Sequence, residues 1–265
     1  MLIIDVNNWV RVKLAESLSG TSVALLWSEL MSNYYKGIPQ LYVADGVKGN
    51  ELRRKYFPEY KRNRKPTDQS VYDGINFFKE LLADAPQTVG YLEVAGYEAD
   101  DVIANMAYLY SLQGEEVGII STDKDLTQLK QLKGVTTLGE PKTEPQWVKL
   151  YKMMVGDSSD NIPGIKGFGQ KSWDKLSADF KNRMTVLFHL YDTPDKMPKE
   201  YIRKLCELNM TESLVENFML YLEKGTLHTY YKIIGFCAVP SELIKIKYGS
   251  GNVEQVSAKL SYYSL

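Results

Sequence analysis

Apolar runs at residues 2–4, 41–44, 89–94 and 117–120 are short, are separated by polar stretches, and predict four β-strands. Between them, residues 23–35 and 71–83 have the length and apolar content of crossover helices. Strands alternating with helices predict a parallel α/β sheet. From Glu98 the positions Asp101, Val102, Asn105, Met106 and Leu109 fall at helical spacing, which puts Glu98-Ala99-Asp100-Asp101 in a first helical turn. After Lys149 the chain changes character. A glycine-rich turn at residues 164–169 separates two helical stretches, and a largely helical remainder runs to about Tyr231. The tail from Ser241 reads as a short hairpin or a docked strand. The expected organisation is therefore an α/β core over residues 1–149, with a basic region near 48–80, and an α-rich portion over 150–265.

The polar residues that end the strands carry the chemistry. Asp5 and Asp45 each close an apolar run, and Asp123 and Asp125 follow another. Glu98, Asp100 and Asp101 open the helix after residues 89–94, and Asp157 and Asp160 precede the glycine turn. Taken singly, each has an ordinary explanation, because strand-to-helix loops favour Asp as a helix cap. Together they place acid after acid at one edge of one sheet, where strand carboxyl ends form the ligand crevice. Converging carboxylates repel unless a cation joins them. Several of them holding two metal ions is the usual arrangement for phosphodiester cleavage.

With 265 residues, 44% of them hydrophobic, the chain can bury a sizeable core. Its two cysteines and two histidines lack the spacing of a zinc site. No apolar run approaches the roughly 18 residues of a membrane span, so a soluble, cytoplasmic protein with no membrane partner is expected. The formal charge of −1 conceals a division, because without the nine clustered acids the remainder is +8. Residues 48–65 hold eight Lys or Arg against Glu51 and Glu59. Such a run alone reads as a solvated face. Following an acid-tipped strand, it suits a polyanion.

Gly164, Gly167 and Gly169 match neither a dinucleotide fingerprint nor a Walker A loop. A plain helix-helix turn explains them. The same glycines also expose backbone N–H groups that bind phosphate without reading sequence, with Lys166 and Lys171 alongside.

The motifs IIDVNN, VADG, PEYKRNRK, GYEADDVIA, ISTDKDLTQL and GDSSDNIPGIKGFGQKS, in this order, resemble the 5′ nuclease family: phage flap endonucleases, 5′-3′ exonucleases and the 5′ nuclease domain of bacterial DNA polymerase I. The resemblance runs from Asp5 to about Trp173. It implies a PIN-like nuclease core with a helix-hairpin-helix portion. It also implies a first metal group at Asp5, Asp45, Glu98 and Asp100 and a second at Asp123, Asp125 and Asp157, with Asp101 and Asp160 supporting through water. Lys61 and Arg64 would act on the scissile phosphate from the base of a helical arch. Arg53, Arg54, Lys55, Arg62, Lys65 and the hairpin residues Gly164, Lys166, Gly167, Gly169 and Lys171 would hold DNA. Two Mg²⁺ ions, replaceable by Mn²⁺, and K⁺ at the hairpin are the implied cofactors. DNA with a 5′ end, flap or branch, or an RNA-DNA hybrid, is the implied partner of a monomer. Two departures from the family pattern are Val6, where a glycine usually follows the first aspartate, and the short segment between Arg64 and the next helix, which Pro66 interrupts and which bears on whether a complete threaded arch forms.

Two other readings stay open. A PIN-like ribonuclease, or an enzyme of RNase H type that removes RNA primers, shares the acid-edged sheet but has no need of the glycine hairpin. A catalytically inactive module that binds branched DNA would not need all nine acids and Lys61.

Overall fold

Residues 1–16 and 19–263 are described by a computed structural model. The chain divides into two units, one formed by residues 1–51, 65–140 and 237–265 and the other by 52–64 and 141–236. Both differ from the expected split at residue 149: the basic segment 52–64 joins the helical unit, and the tail returns to the sheet.

The first unit begins with β1 (Leu2–Asp5), α1 (Val6–Glu16), α2 (Ser19–Tyr35) and β2 (Gln40–Ala44). The short α3 (Glu51–Tyr56) leads out of it, and the chain re-enters before α4 (Gln69–Ala83). β3 (Val89–Glu93), α5 (Ala99–Leu112), β4 (Val117–Ile120), a 3₁₀ helix (Asp125–Gln131) and β5 (Val135–Thr137) follow. The four expected strands are present, and β5 and α1 are additions. Val6 starts α1 directly after β1 and is buried.

These five strands pair in parallel in the order β5-β4-β1-β2-β3. All of β2 is buried, which is why it reads as an unbroken apolar run: a parallel strand covered on both faces has no side to give to water. Alternation sorts the layers. Ile4, Tyr42 and Ala44 pack in one cluster with Val10, Leu30 and Phe78 of α1, α2 and α4. Ile3, Leu41 and Val43 point the other way and are equally buried. The chain runs outward from β1 through β2 to β3 and, on the other side, from β4 to β5. The strand order therefore reverses beside β1, and the crevice at the carboxyl ends opens there.

In the second unit, α6 (Val148–Val155), α7 (Gln170–Asp174), α8 (Ala178–Leu190), α9 (Lys199–Glu207), α10 (Glu212–Glu223) and α11 (Thr226–Ile234) surround a core that includes Leu150, Met153, Phe180 and Phe218. Tyr60 is part of that core and Phe57 packs on it, so the basic segment is docked by its aromatic residues. Within that segment α3 is followed by turns to Arg64, and Asp68 then caps α4 by accepting from the Ser70 amide. The expected arch is thus one six-residue helix and a run of turns, because Pro58 and Pro66 interrupt any longer one.

Beyond the second unit the chain adds β6 (Lys247–Tyr248), antiparallel to β3, and α12 (Val253–Tyr263). Of the two expectations for the tail, a short hairpin or a docked strand, this is the docked strand.

The α6–α7 hairpin is held by its own backbone. Asp157 and Ile162 exchange two N–H···O bonds of 2.8 Å, and the Ile165 amide donates to Met154 O at 2.9 Å. Gly164 makes this possible: its φ is +71°, and a Cβ there would sit 2.5 Å from Gly156 N. Gly167 also has positive φ, but its surroundings are open. Left-handed backbone alone costs a non-glycine residue about 1–2 kcal/mol, and the clash at Gly164 adds to that. Gly164→Ala is expected to destabilise the protein by more than about 2 kcal/mol and Gly167→Ala by about 1 kcal/mol, as read by urea denaturation. Equal losses would contradict this account of the hairpin.

Candidate functional site

Three acids sit at the carboxyl ends of adjacent strands in the first unit: Asp5 ends β1, Asp45 follows β2, and Asp123 lies in the turn after β4. Asp5 is 4% exposed. Its Oδ1 accepts from the Asn8 amide and its Oδ2 from the Ser121 hydroxyl, both at 3.0 Å. The two asparagines after Asp5 tie the neighbouring strand ends together. Asn7 Oδ1 accepts from the Asp45 amide at 2.9 Å, and Asn8 exchanges bonds with Thr122 through Nδ2 at 3.0 Å and Oδ1 at 2.9 Å. Asp45 Oδ1 in turn accepts from the Ala99 amide at 2.8 Å, which brings the first turn of α5, with Glu98 and Asp100, to the same edge. Asp123 Oδ1 accepts from the Asp125 amide at 2.8 Å. Gly46 is what lets β2 end so close to the chain beyond β3, since a Cβ there would meet Val94 O at 1.8 Å.

Burial, and then the negative charges of Asp45 and Asp123, push the Asp5 carboxyl up to about 7, although the Asn8 and Ser121 bonds oppose the shift. A carboxylate in this position is relieved either by a proton or by a cation. The donor set is all oxygen, which fits a hard divalent ion such as Mg²⁺ or Mn²⁺.

Asp101, expected to support a metal through water, has both carboxylate oxygens on main-chain amides. It is fully buried, with Oδ2 accepting from the Glu98 amide at 3.3 Å and Oδ1 from the Cys237 amide at 2.7 Å. One turn on, Asn105 bonds Cys237 O at 2.9 Å and the Val239 amide at 3.3 Å. Asp101 and Asn105 therefore clamp the returning chain onto α5. Sequence spacing alone does not separate Asp101 from Asp100.

The second unit holds Asp157, Asp160, Lys61 and Arg64. Asp157 follows α6 and pairs with Lys152 Nζ at 2.5 Å, while its other oxygen accepts from the Ser159 amide and hydroxyl at 2.9 and 2.6 Å. Burial alone would push its pKa up. The charge and hydrogen bond of Lys152 and the bonds from Ser159 outweigh this and hold it below the usual range. Asp157 opens onto a cleft of about 480 Å³ lined also by Asn63, Gly156, Ser158 and Asn161. Asp160 is buried beneath the two cations, 3.9 Å from Lys61 Nζ and 3.1 Å from Arg64, whose Nε donates to Ser159 O. The Lys61 amide donates to Asp160 O at 3.1 Å. Asp160, expected to support a metal, is the counter-ion of Lys61 and Arg64 and also has an oxygen within 4.8 Å of one on Asp157, close enough for the two carboxylates to share an ion. Lys152 and Ser159 were not singled out from the sequence. Lys152 stands five residues before Asp157, a signal that becomes readable only once α6 is known to end at Val155.

Of the expected DNA contacts, Arg54, Lys55, Arg62, Lys65, Lys166, Gly167, Gly169 and Lys171 are exposed. Arg54 Nε donates to Tyr60 O, and Arg62 pairs with Glu59. Two expectations fail. Arg53 is 4% exposed and bonded to main-chain carbonyls, and Gly164 is buried with its close approach directed at Val155 and Gly156 rather than at a ligand.

Residues 21–153 match the model of the family described as 5′-3′ exonuclease, N-terminal resolvase-like domain. The chain belongs to this 5′-3′ exonuclease family. It is 33% identical to DNA polymerase I of Caldicellulosiruptor bescii over 182 residues, 62% of this chain and 21% of that one. To the 5′-3′ exonuclease of Aquifex aeolicus it is 35% identical over 157 residues, 54% of each. It thus spans about a fifth of the polymerase and about half of the exonuclease. The fold is shared with the bacteriophage T5 D15 flap endonuclease, solved as a pseudo-enzyme-product complex with DNA and metal ions. That similarity has 18% identity, covers 99% of this chain and 98% of that one, and has a TM-score of 0.65. The catalytic core of Rad2 in complex with DNA substrate is similar at 15% identity and a TM-score of 0.57, over 98% and 85% of the two chains. Among the described residues of this family member, no helix is long and apolar enough to cross a membrane.

The raised pKa of Asp5 sets a pH dependence. The folded, metal-free protein binds this proton more tightly than the unfolded chain, so stability is fullest at acid pH and is lost as pH rises from the ordinary carboxylate range through about 7. Asn at position 5 can still accept from the Asn8 amide and donate to Ser121 Oγ. Asp5→Asn is therefore expected to melt higher than the parent in EDTA at about pH 8, with the gap closing towards about pH 5. A pH-independent gap would sink this description of Asp5.

Proposed function

We propose that the protein is a divalent-metal-dependent 5′ nuclease that hydrolyses DNA phosphodiesters at a 5′ end, flap or branch, with a role in replication or repair. The observation that carries this reading is the buried Asp5 carboxylate between Asp45 and Asp123 at the switch point of a 5′-3′ exonuclease-family sheet. Asp5, Asp45 and Asp123 would hold Mg²⁺, with Glu98 and Asp100 at the same edge and Asp125 beside Asp123. Asp157 is the second unit's candidate ligand. Divalent cations held there would supply Lewis-acid stabilisation of the phosphoryl oxygens and lower the pKa of water.

The chain's own residues have separable tasks. Asn7, Asn8 and Ser121 fix where the carboxylates point, so little reorganisation remains at the moment of reaction. Lys61 and Arg64, oriented by Asp160, supply positive charge to the phosphoryl oxygens as negative charge builds up. The exposed cations near Arg64 and at the hairpin would take the duplex backbone without base readout, and K⁺ is the candidate monovalent ion at the hairpin. The likeness of this chain to solved DNA complexes of the same fold supports a DNA substrate.

The test is cleavage of a 5′-labelled flap, a nicked duplex and an RNA-DNA hybrid with Mg²⁺, in which product lengths distinguish end trimming from internal cutting. Asp123→Asn is expected to abolish turnover while DNA affinity measured without Mg²⁺ changes less than about threefold, since the basic surface is intact. Retained hydrolysis would remove Asp123 from the site. Lys61→Ala is expected to lower kcat by about 10²-fold or more, roughly 2.7 kcal/mol, with a smaller change in KM. A rise in KM alone would make Lys61 a docking residue.

A further inference from the structure

A guanidinium is rarely buried, yet Arg53 is 4% exposed. Its Nε donates to Ile233 O at 2.8 Å and its terminal nitrogen to Gly235 O at 3.0 Å. These carbonyls lie at the C-terminal end of α11, where helical acceptors have no partners within the helix and the macrodipole is negative. Other contacts bring the same short segment to α11: Phe57 meets Tyr230 edge-on with centroids 5.6 Å apart, and Lys232 lies 3.6 Å over the Tyr56 ring.

From Arg53 a continuous path leads to Lys61. The Phe57 amide donates to Arg53 O and the Tyr60 amide to Phe57 O, both at 2.9 Å. The buried Tyr60 ring is shared, 5.8 Å from the Arg53 guanidinium and 4.8 Å from the Lys61 ammonium. Lys61 itself has φ of +54°, left-handed backbone that is uncommon for a residue with a Cβ.

We propose that Arg53 is a positioning residue: by capping the C-terminal end of α11 it seats the turn that follows and fixes where Lys61 and Arg64 present their charge. This rests on the reading that Lys61 acts in phosphodiester cleavage. Two carbonyls at fixed places require a planar fork of donors, so lysine is a poor substitute.

Arg53→Ala, Arg53→Lys, Lys61→Ala and the Arg53→Ala/Lys61→Ala pair are compared in cleavage of a 5′-labelled flap with Mg²⁺ and in DNA binding without it. Arg53→Ala is expected to lower kcat about tenfold or more with KM and Kd within about threefold, and Arg53→Lys to fall between it and the parent. The amide of Lys61, bonded to Asp160 O, should exchange hydrogen faster in both Arg53 variants. Adding Arg53→Ala to Lys61→Ala should cost less than about threefold more, because the first acts through the second. Should Arg53→Ala not fold, Arg53→Lys carries the same measurements. Full additivity, or unchanged kcat in the Arg53 variants while Lys61→Ala loses activity, overturns the proposal. So does weakened DNA binding with a salt slope flatter by about one counterion, which marks a direct phosphate contact. If Lys61→Ala keeps full activity, the reading of Lys61 falls, and unchanged exchange at its amide in the Arg53 variants then overturns the positioning separately.

Discussion

The burial of one carboxylate, Asp5, constrains the first unit more than any other single contact. An acid at the end of a central strand must be satisfied on both oxygens, and here the donors come from the next helix and from the strand beside it. That requirement accounts for Asn8 and Ser121, while Asn7 and Thr122 tie the neighbouring strand ends to Asp45 and Asn8. The polar groups around Asp5 orient it and offset part of its desolvation, and they leave its charge in the company of Asp45 and Asp123.

The second unit solves a related problem with the opposite sign. Lys61 and Arg64 are brought near one another and over Asp160, and Asp157 has its own cation in Lys152. Each acid is therefore oriented by a named partner. The strain at Lys61 and the buried guanidinium of Arg53 are costs of the same arrangement, offset by aromatic packing of Phe57 and Tyr60 in the helical core.

Much of this was legible beforehand because parallel strands covered on both faces must be apolar throughout. β1, β2, β3 and β4 therefore stood out, as did the acids that end them. β5 has only three residues and contains two threonines, so it carries no such signal. Within the site, residue type and spacing could not tell neighbours apart. Asp101 and Asp100 differ by one step around a helix, yet one faces the returning chain and is sealed. Arg53 and Arg54 are adjacent in a basic run, yet one is buried and the other exposed. Those distinctions come from what packs against each residue, and the partners, Cys237 for Asp101 and Gly235 for Arg53, lie more than 130 residues away.

The return of residues 237–265 to the first unit also sets the order in which the chain can be completed. β6 covers the open edge of β3 across more than 150 residues of sequence, and the Asp101 clamp closes over a loop nearly as long. During synthesis the whole helical unit is made before either contact can form. Until then β3 presents unpaired backbone groups and Asp101 remains without its Cys237 donor, so the nascent sheet is most exposed to pairing with other chains late in translation.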